Sequence, residues 1–466
     1  MIGLGTLVVP FDSSVNVAFP HIIRGFDLPI PAIQWVVIAY TLTYAALTLV
    51  FGRAGDILGY RLVFQIGNCV GAAGFLACAA APSYDWLLAA RVLQGVGAAL
   101  ALSCGPALAT GLYPEAQRTR VIGMYTMMFG IGAALGPLLA GELVQAFGWR
   151  AVFWFRAPIA LLAFLLTWAL FPASTMAADA GAAPGEAPGE APGAAPGADR
   201  RFDAIGAGLL VLAISLLLLS LNQLRGADHA PFVIAAILTA VTTWAFIRRE
   251  LTTPAPILNL RFFRDPDFAL VIAAQALLNL AGFSIMLLVP FYLDRFGALS
   301  VPMGGLVLAS SPAGIILAGP LAARFTRRLK SRQLALAGAA CMAIAQIAIG
   351  TAGDPAHIPL LVATMALQGF GLGLFQVACF DISIATIPAA DRGVAGGLVM
   401  MTRTVGVVTG ATILMLVFQT MRGAATANGL PDTAAFLIGF QGAFHVASVL
   451  PVLVVLAAWW RGWARG

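Results

Sequence analysis

The chain has 466 residues, 60% of them hydrophobic and only 10% charged, with a net charge of +6. Soluble domains run at about 25% charged, so the composition excludes a soluble globular protein and reads as an integral membrane protein. The positive balance is not a nucleic-acid footprint. Lys330 is the only lysine, and the arginines sit mostly between apolar runs, as inward-facing loops do under the positive-inside rule.

A spanning helix takes about 20 apolar residues. In chain order the first six candidates are Ile2–Ile23, Ile33–Phe51, Val63–Ala81, Trp86–Leu108, Val121–Ala146 and Ala151–Phe171. An Ala/Pro/Gly tract with an APGE repeat follows, a composition that builds no packed core and predicts a disordered linker. Two more spans, Ile205–Leu224 and Phe232–Ile247, precede a final six: Phe268–Leu293, Val301–Ala323, Leu334–Ala352, Ile358–Ile382, Gly393–Phe418 and Ala434–Trp460. The expectation is therefore an all-α membrane protein of about fourteen spans. Its parts are an N-terminal six-helix bundle (1–171), a cytoplasmic linker (172–204), two inserted helices (205–250) and a C-terminal six-helix bundle (251–466). Two six-span halves are a transporter plan of parallel repeats, with a substrate site between them near the midplane.

Orientation follows from charge. With the N-terminus inside, Arg53, Arg61, Arg118, Arg120, Arg200, Arg201, Arg248, Arg249, Arg261, Arg264 and the TRRLKSR loop all face inward, so both termini are expected in the cytoplasm. The first residues carry no basic stretch or small-residue cleavage site, and span 1 reads as retained. The Arg/Ala/Gly bias fits a bacterial inner or plasma membrane. Cys69, Cys78, Cys104, Cys341 and Cys379 all lie in apolar runs without metal-ligand spacing and read as small buried hydrophobes. The four histidines show no zinc pattern, and no metal or cofactor is expected.

The segment after span 2 reads GRAGDILGYRLVF, with Gly52, Asp56, Gly59 and Arg61 spaced G-x-x-x-D-x-x-G-x-R. Glycines let a short loop lie close to a neighbouring helix. Asp56 suits a helix N-terminus, or an arginine such as Arg118 or Arg120. Such a contact is a latch that holds one conformation and releases in another. A tight turn with inward charges explains the arginines but not Asp56 among glycines.

This loop resembles the signature of the major facilitator superfamily. LAARVLQGVGAA, with Arg91, Gln94, Gly95 and Gly97, resembles its fourth-span motif. Gly123, Gly132, Gly136, Pro137 and Gly141 resemble the fifth-span antiporter motif, departing from it at Ala140. FDSSVNVAFP and QWVVIAY resemble the first and second spans of 14-span drug:proton antiporters of the EmrB/QacA type. The resemblance spans nearly the whole chain. It implies the major facilitator fold and proton-coupled efflux of amphipathic small molecules by alternating access, powered by the proton gradient.

Asp12 lies near the middle of span 1, with Asn16 one turn on and on the same face. A buried intramembrane acid is a proton-relay candidate. Proton exchange near neutral pH needs apolar burial, and a nearby arginine opposes it. The alternative is an Asp fixed structurally with Asn16 and Ser13. By resemblance Arg91 takes part in proton transfer or pairs with a cavity acid, while a structural ion pair stands beside that reading. Gln94 and Arg403, mid-way in span 13, are further cavity candidates. Arg156 stands where the family more often has Asn, and no role carries over. Asp381 reads as a helix-end partner of an inward arginine, and Glu142 and Asp294 read similarly. Pro137 removes an amide and is expected to bend span 5, while its glycines allow close approach to a span of the other half. Met124, Met127, Met128, Met286, Met400 and Met401 lie on candidate cavity helices, though lipid contact and packing are commoner fates.

Three deep arginines against one centred acid favour neutral or anionic substrates over lipophilic cations. Other readings are an exporter of one metabolite or natural product, and a proton-symport importer, which would not carry the Gly136-Pro137 pattern. No nucleotide loop, metal cluster or nucleophile with a base points to an enzyme. The expected partners are a small-molecule substrate, protons and the lipid bilayer. No nucleic acid is expected, and an envelope partner is left open.

Overall fold

A chain crossing lipid must satisfy its backbone internally, and helices do so within one segment. In the computed structural model, which describes residues 2–28, 30–111, 113–114, 117–170, 202–223, 230–254, 256–296, 301–326, 328–351, 358–388 and 391–464, all regular structure among those residues is helical. Among the described residues thirteen helices are long and apolar enough to cross a membrane, and a bent pair, Arg118–Gly136 and Leu138–Phe147, supplies a fourteenth. The protein is a multi-pass membrane protein with two six-helix bundles and two inserted helices. Most of the expected linker lies outside the described residues.

Span 1 comes in pieces, Ile2–Leu7, a 3-10 turn Pro10–Ser13, and Ser14–Phe26. Spans 2 to 5 are Gln34–Leu58, Tyr60–Ala79, Tyr84–Gly111 and Arg118–Phe147. Span 6 is Ala151–Trp154 continued by Arg156–Leu170, and the inserted spans 7 and 8 are Ala204–Gln223 and Ala230–Thr252. Spans 9 and 10 are Pro266–Phe296 and Val301–Leu308 with Ser310–Phe325. Spans 11 to 14 are Ser331–Thr351, Ile358–Thr386, Arg392–Ala427 and Asp432–Trp460.

The two bundles repeat one another. Leu-Gln-Gly-x-Gly occurs at Leu93–Gly97 in span 4 and at Leu367–Gly371 in span 12. Gly97 packs on Gly71 of span 3, and Gly371 on Gly338 of span 11. Gly95 lies against the Tyr40 carbonyl of span 2, and Gly369 against the Ser311 carbonyl of span 10. Span 12 is thus the copy of span 4, as a parallel repeat requires. The position matching Arg91 is Met365, fully buried, so the second bundle keeps the packing and drops the charge.

The bundles meet along spans 2 and 13 and along spans 5 and 10. Close approach there rests on glycine pairs, Gly52 with Gly393 and Gly123 with Gly319, where a Cβ on either partner would strike the other's carbonyl. Tyr44, Leu49, Leu102 and Phe129 share one apolar cluster with Phe375 and Met400 of the other bundle. Span 8 leaves Ile234, Ile237, Val241 and Trp244 exposed, a surface suited to lipid. Its C-terminal end is tied to span 7 by Arg249, which donates to both carboxylate oxygens of Asp203 at 3.0 Å.

Three expectations change here. Gly52–Leu58 is not loop but the last turns of span 2, and the break is the single residue Gly59 at φ 93°. One glycine in that left-handed region reverses the chain, so a long loop is unnecessary. Span 1 is not continuous, because Pro10 lacks an amide hydrogen and the chain rewinds as 3-10 helix through Asp12. Cys69 is exposed rather than buried, since an apolar run also has a face turned outward.

Candidate functional site

The 3-10 turn of span 1 aims Asp12 into the first bundle, where spans 4 and 6 deliver two arginines. Arg91 grips the carboxylate with both terminal nitrogens, Nη1 to Oδ1 at 2.6 Å and Nη2 to Oδ2 at 2.7 Å. Two more of its donors are used: Nη1 reaches Gln94 Oε1 at 2.9 Å and Nε donates to the Val36 carbonyl at 2.7 Å. Such a planar fork is the strong form of an arginine–carboxylate pair. Gln94 Nε2 and Arg156 Nη1 each donate to Asp12 Oδ1 at 2.9 Å. Both arginine side chains are completely buried.

Aromatic rings wall the cluster. The Arg91 guanidinium lies 4.5 Å over the Tyr40 ring, and that of Arg156 lies 4.7 Å over Phe75 and 5.4 Å over Phe153. Arg156 Nε and Nη2 and the Tyr40 hydroxyl are buried without a hydrogen-bond partner. One carboxylate thus holds two guanidiniums, and a positive charge is left over. Removing a partner so that a buried charge is left unpaired costs about 3–5 kcal/mol, so Asp12 and Arg91 depend on each other.

Asn16 does not join the cluster. It is exposed, and Ser13 Oγ donates to the Pro10 carbonyl rather than to Asp12. The 3-10 turn, with 3.0 rather than 3.6 residues per turn, removes the register that would stack positions 12 and 16.

Arg403 of span 13 crosses to the other bundle and lies 3.8 Å over the Phe129 ring of span 5. Next to it Thr404 donates to the Tyr44 hydroxyl, and Tyr44 stacks on Tyr40 at 5.9 Å. A cation–π contact contributes about 0.5–2 kcal/mol, whereas an arginine at mid-membrane costs about 2.5–3.5 kcal/mol on insertion scales. The ring alone does not offset the charge.

A latch closes the arginine-rich end. Asp56 accepts from the backbone amides of Gly393 at 2.6 Å and Val394 at 3.1 Å, and from the Tyr60 hydroxyl at 2.7 Å. These amides are the free donors at the N-terminus of span 13, where a carboxylate is favoured. Arg53 pairs with Asp391, the N-cap of the same helix, at 2.5 Å. Arg118 of span 5 donates to Asp381 of span 12 at 3.0 Å, and Thr119 and Ser331 also bond it. Of the two settings open to Asp56, it takes the helix N-terminus; Arg118 goes to Asp381, an arginine with a helix-end acid. Arg61 donates to the Trp168 carbonyl of span 6 at 3.1 Å.

The span 5 glycines divide their contacts. Gly123 meets Gly319 of the other bundle, but Gly132 and Gly136 do not reach it. A Cβ on Gly132 would lie 2.5 Å from the Leu7 carbonyl oxygen, and one on Gly136 would lie 2.5 Å from Ser13 Oγ. They cradle the broken part of span 1 instead, because the 3-10 turn brings its backbone against span 5. Gly141 faces open space. The Pro137 side chain lies outside the described residues, as does that of Asp294; the helix on either side of Pro137 is bent by 42°.

A model of the Major Facilitator Superfamily matches residues 2–411. The chain belongs to that superfamily. Among curated relatives, it is 28% identical over 416 residues to multidrug resistance protein Stp of Mycobacterium tuberculosis (strain ATCC 25618 / H37Rv), covering 88% of this chain and 74% of that one. It is 26% identical over 464 residues to the methylenomycin A resistance protein of Bacillus subtilis (strain 168), covering 98% and 94%. Among solved structures, the superfamily's proton:xylose symporter XylE superposes with TM-score 0.65 at 16% identity, covering 98% of this chain and 94% of that one. The fold therefore matches that of a solved superfamily transporter.

Within this superfamily frame, residues that the sequence left without a role are at the centre. Arg156 was visible as a lone arginine in the apolar run WFRAP, but only the fold shows that span 6 points it at Asp12. Tyr40 carried no motif signal beyond QWVVIAY and proves to stack under Arg91.

Proposed function

We propose that the protein is a proton-coupled efflux transporter that exports amphipathic small molecules across the plasma membrane by alternating access. The observation that carries this reading is Asp12, the carboxylate shared by Arg91 and Arg156 at a break in a spanning helix. The positive-inside rule puts the latched, arginine-rich end in the cytoplasm. The conformation described is then closed toward the cytoplasm.

A proton arriving at Asp12 from outside cancels the charge that both guanidiniums share. The fork loses its partner, and the broken part of span 1 is free to shift along Gly132 and Gly136. Movement of spans 1 and 5 strains the Gly123–Gly319 and Gly52–Gly393 seams and releases the Asp56 latch. Loss of the proton inside re-forms the fork and closes the cycle. The Stp relative supports a broad substrate range. The methylenomycin A resistance relative supports the narrower alternative, export of one natural product.

Dye efflux from energised inverted vesicles under an imposed pH gradient tests this. Wild type moves a dye and consumes the gradient, while Asp12→Asn, folded by gel filtration, does neither. A mutant that transports normally makes Asp12 structural. A wild type that instead carries solute out of the vesicle lumen together with protons is an importer.

A further inference from the structure

Charge in the middle of the fold does not balance. Among the described residues, Asp12 faces Arg91 and Arg156, while Arg403 has no carboxylate or hydrogen-bond partner. Arg403 sits eleven residues into span 13, a rise of about 16 Å from its arginine-rich end, and so at mid-membrane depth. Its side chain bridges the two bundles, on Phe129. Tyr125 stands one helical turn before Phe129 on span 5, and Tyr40 stacks on Tyr44, which is bonded to Thr404 next to Arg403. Tyr44 is engaged with Thr404, but the hydroxyls of Tyr125 and Tyr40 are buried with no partner, at 4% and 5% residue exposure.

An unpaired guanidinium packed on two spans that each carry an idle hydroxyl donor is a set of groups that an oxyanion would satisfy. The rings of Phe129, Tyr44 and Tyr40, with Phe380 edge-on to Tyr125 at 6.1 Å, supply flat apolar walls. A cationic ligand would instead meet three arginines and one committed carboxylate. Intramembrane charges left without a protein partner mark ligand paths.

We propose that Arg403, with the Tyr40 and Tyr125 hydroxyls, recognises the acidic group of the substrate, and that the substrates are flat amphipathic acids bearing a carboxylate or phenolate. This rests on the transporter reading above. The anion sits on Arg403 and the proton on Asp12, so their exchange runs through the conformational cycle and not through displacement at one site.

Equilibrium binding to the purified full-length protein tests it, with 2-naphthoate and 2-naphthyltrimethylammonium as probes of matched ring and opposite charge. Wild type binds the acid and not the cation. Arg403→Gln weakens acid binding about tenfold, the scale of one lost charge-assisted contact, and Arg403→Lys retains part of it. Should Arg403→Gln fail to fold, the double variant Tyr40→Phe, Tyr125→Phe decides, with a loss of about threefold expected. Equal or tighter binding of the cation, binding of neither probe, or unchanged acid affinity in folded variants overturns the proposal. Binding is read without a gradient. A protein that binds the acid but exports nothing defeats only the efflux reading, whereas gradient-driven dye export without acid binding defeats only this inference.

Discussion

Arg91 and Asp12, 79 positions apart in the chain, face each other as a two-point fork at 2.6 and 2.7 Å. Every nitrogen of that guanidinium donates to an acceptor, so its place is fixed from the Val36 side as well as the Asp12 side. A lysine offers one point charge in place of a planar fork. Arg91→Lys should therefore fold but transport at least about tenfold more slowly, and Arg91→Gln should also lose about 3–5 kcal/mol of stability. Vesicle efflux normalised to protein amount and a thermal melt read the two effects separately. Wild-type rates in Arg91→Lys would reduce the fork to packing.

Arg156 stands differently. Only its Nη1 is bonded, while Nε and Nη2 are buried and idle. Unmet donors of a buried charge are costly, and apolar replacements of such groups are often neutral or stabilising. We expect Arg156→Met to melt within about 1 kcal/mol of wild type, or above it, and yet to lose most transport, because Asp12 then has a single cation to release. A large drop in melting temperature would show that Arg156 serves the fold.

Helices and their order were legible in the sequence because hydrocarbon leaves a chain few options, and fourteen apolar runs are hard to misread. The superfamily assignment was legible from Gly52, Asp56, Arg91 and Gly136, whose spacings are local. What stayed hidden depended on contacts between distant spans or on local rewinding. The Arg156–Asp12 pair joins spans 6 and 1, and periodicity on either helix is silent about it. The 3-10 turn at Pro10–Ser13 separates Asn16 from Asp12, a change in phase that ideal helical spacing does not anticipate. The glycines at 132 and 136 were expected to face the other bundle and instead serve span 1, since sequence shows that a close approach exists but not to what.

The latch makes a prediction with a native reporter. Cys104 is fully buried beside the Phe51 carbonyl, close to the Asp56 contact. Asp56→Ala removes the acceptor from two span 13 amides and a tyrosine hydroxyl, whereas Arg53→Ala removes one partly exposed ion pair. Exposed pairs contribute about 0–1 kcal/mol, and buried charged hydrogen bonds about 1.5–3 kcal/mol each. Maleimide labelling of Cys104, read by peptide mass spectrometry, should rise about tenfold in Asp56→Ala and less than about threefold in Arg53→Ala. Equal labelling in both would place the closure elsewhere.

The span 5 glycines should rank in a fixed order. A methyl at position 132 meets the Leu7 carbonyl oxygen and the Pro10 ring, at 2.5 and 2.7 Å, and a backbone carbonyl cannot rotate away. At position 136 the obstacle is Ser13 Oγ, which can turn by changing one side-chain torsion at the loss of its bond to the Pro10 carbonyl. At position 141 nothing stands within 4 Å. Overpacking costs about 1–3 kcal/mol where neighbours are rigid. Gly132→Ala should therefore destabilise most, Gly136→Ala by less than about 1.5 kcal/mol, and Gly141→Ala not measurably. Transport should fall in the same order, because the segment displaced is the one that carries Asp12. If Gly141→Ala impaired transport as strongly as Gly132→Ala, the stripe would act through its contacts outside the first bundle, and span 1 would not be its partner.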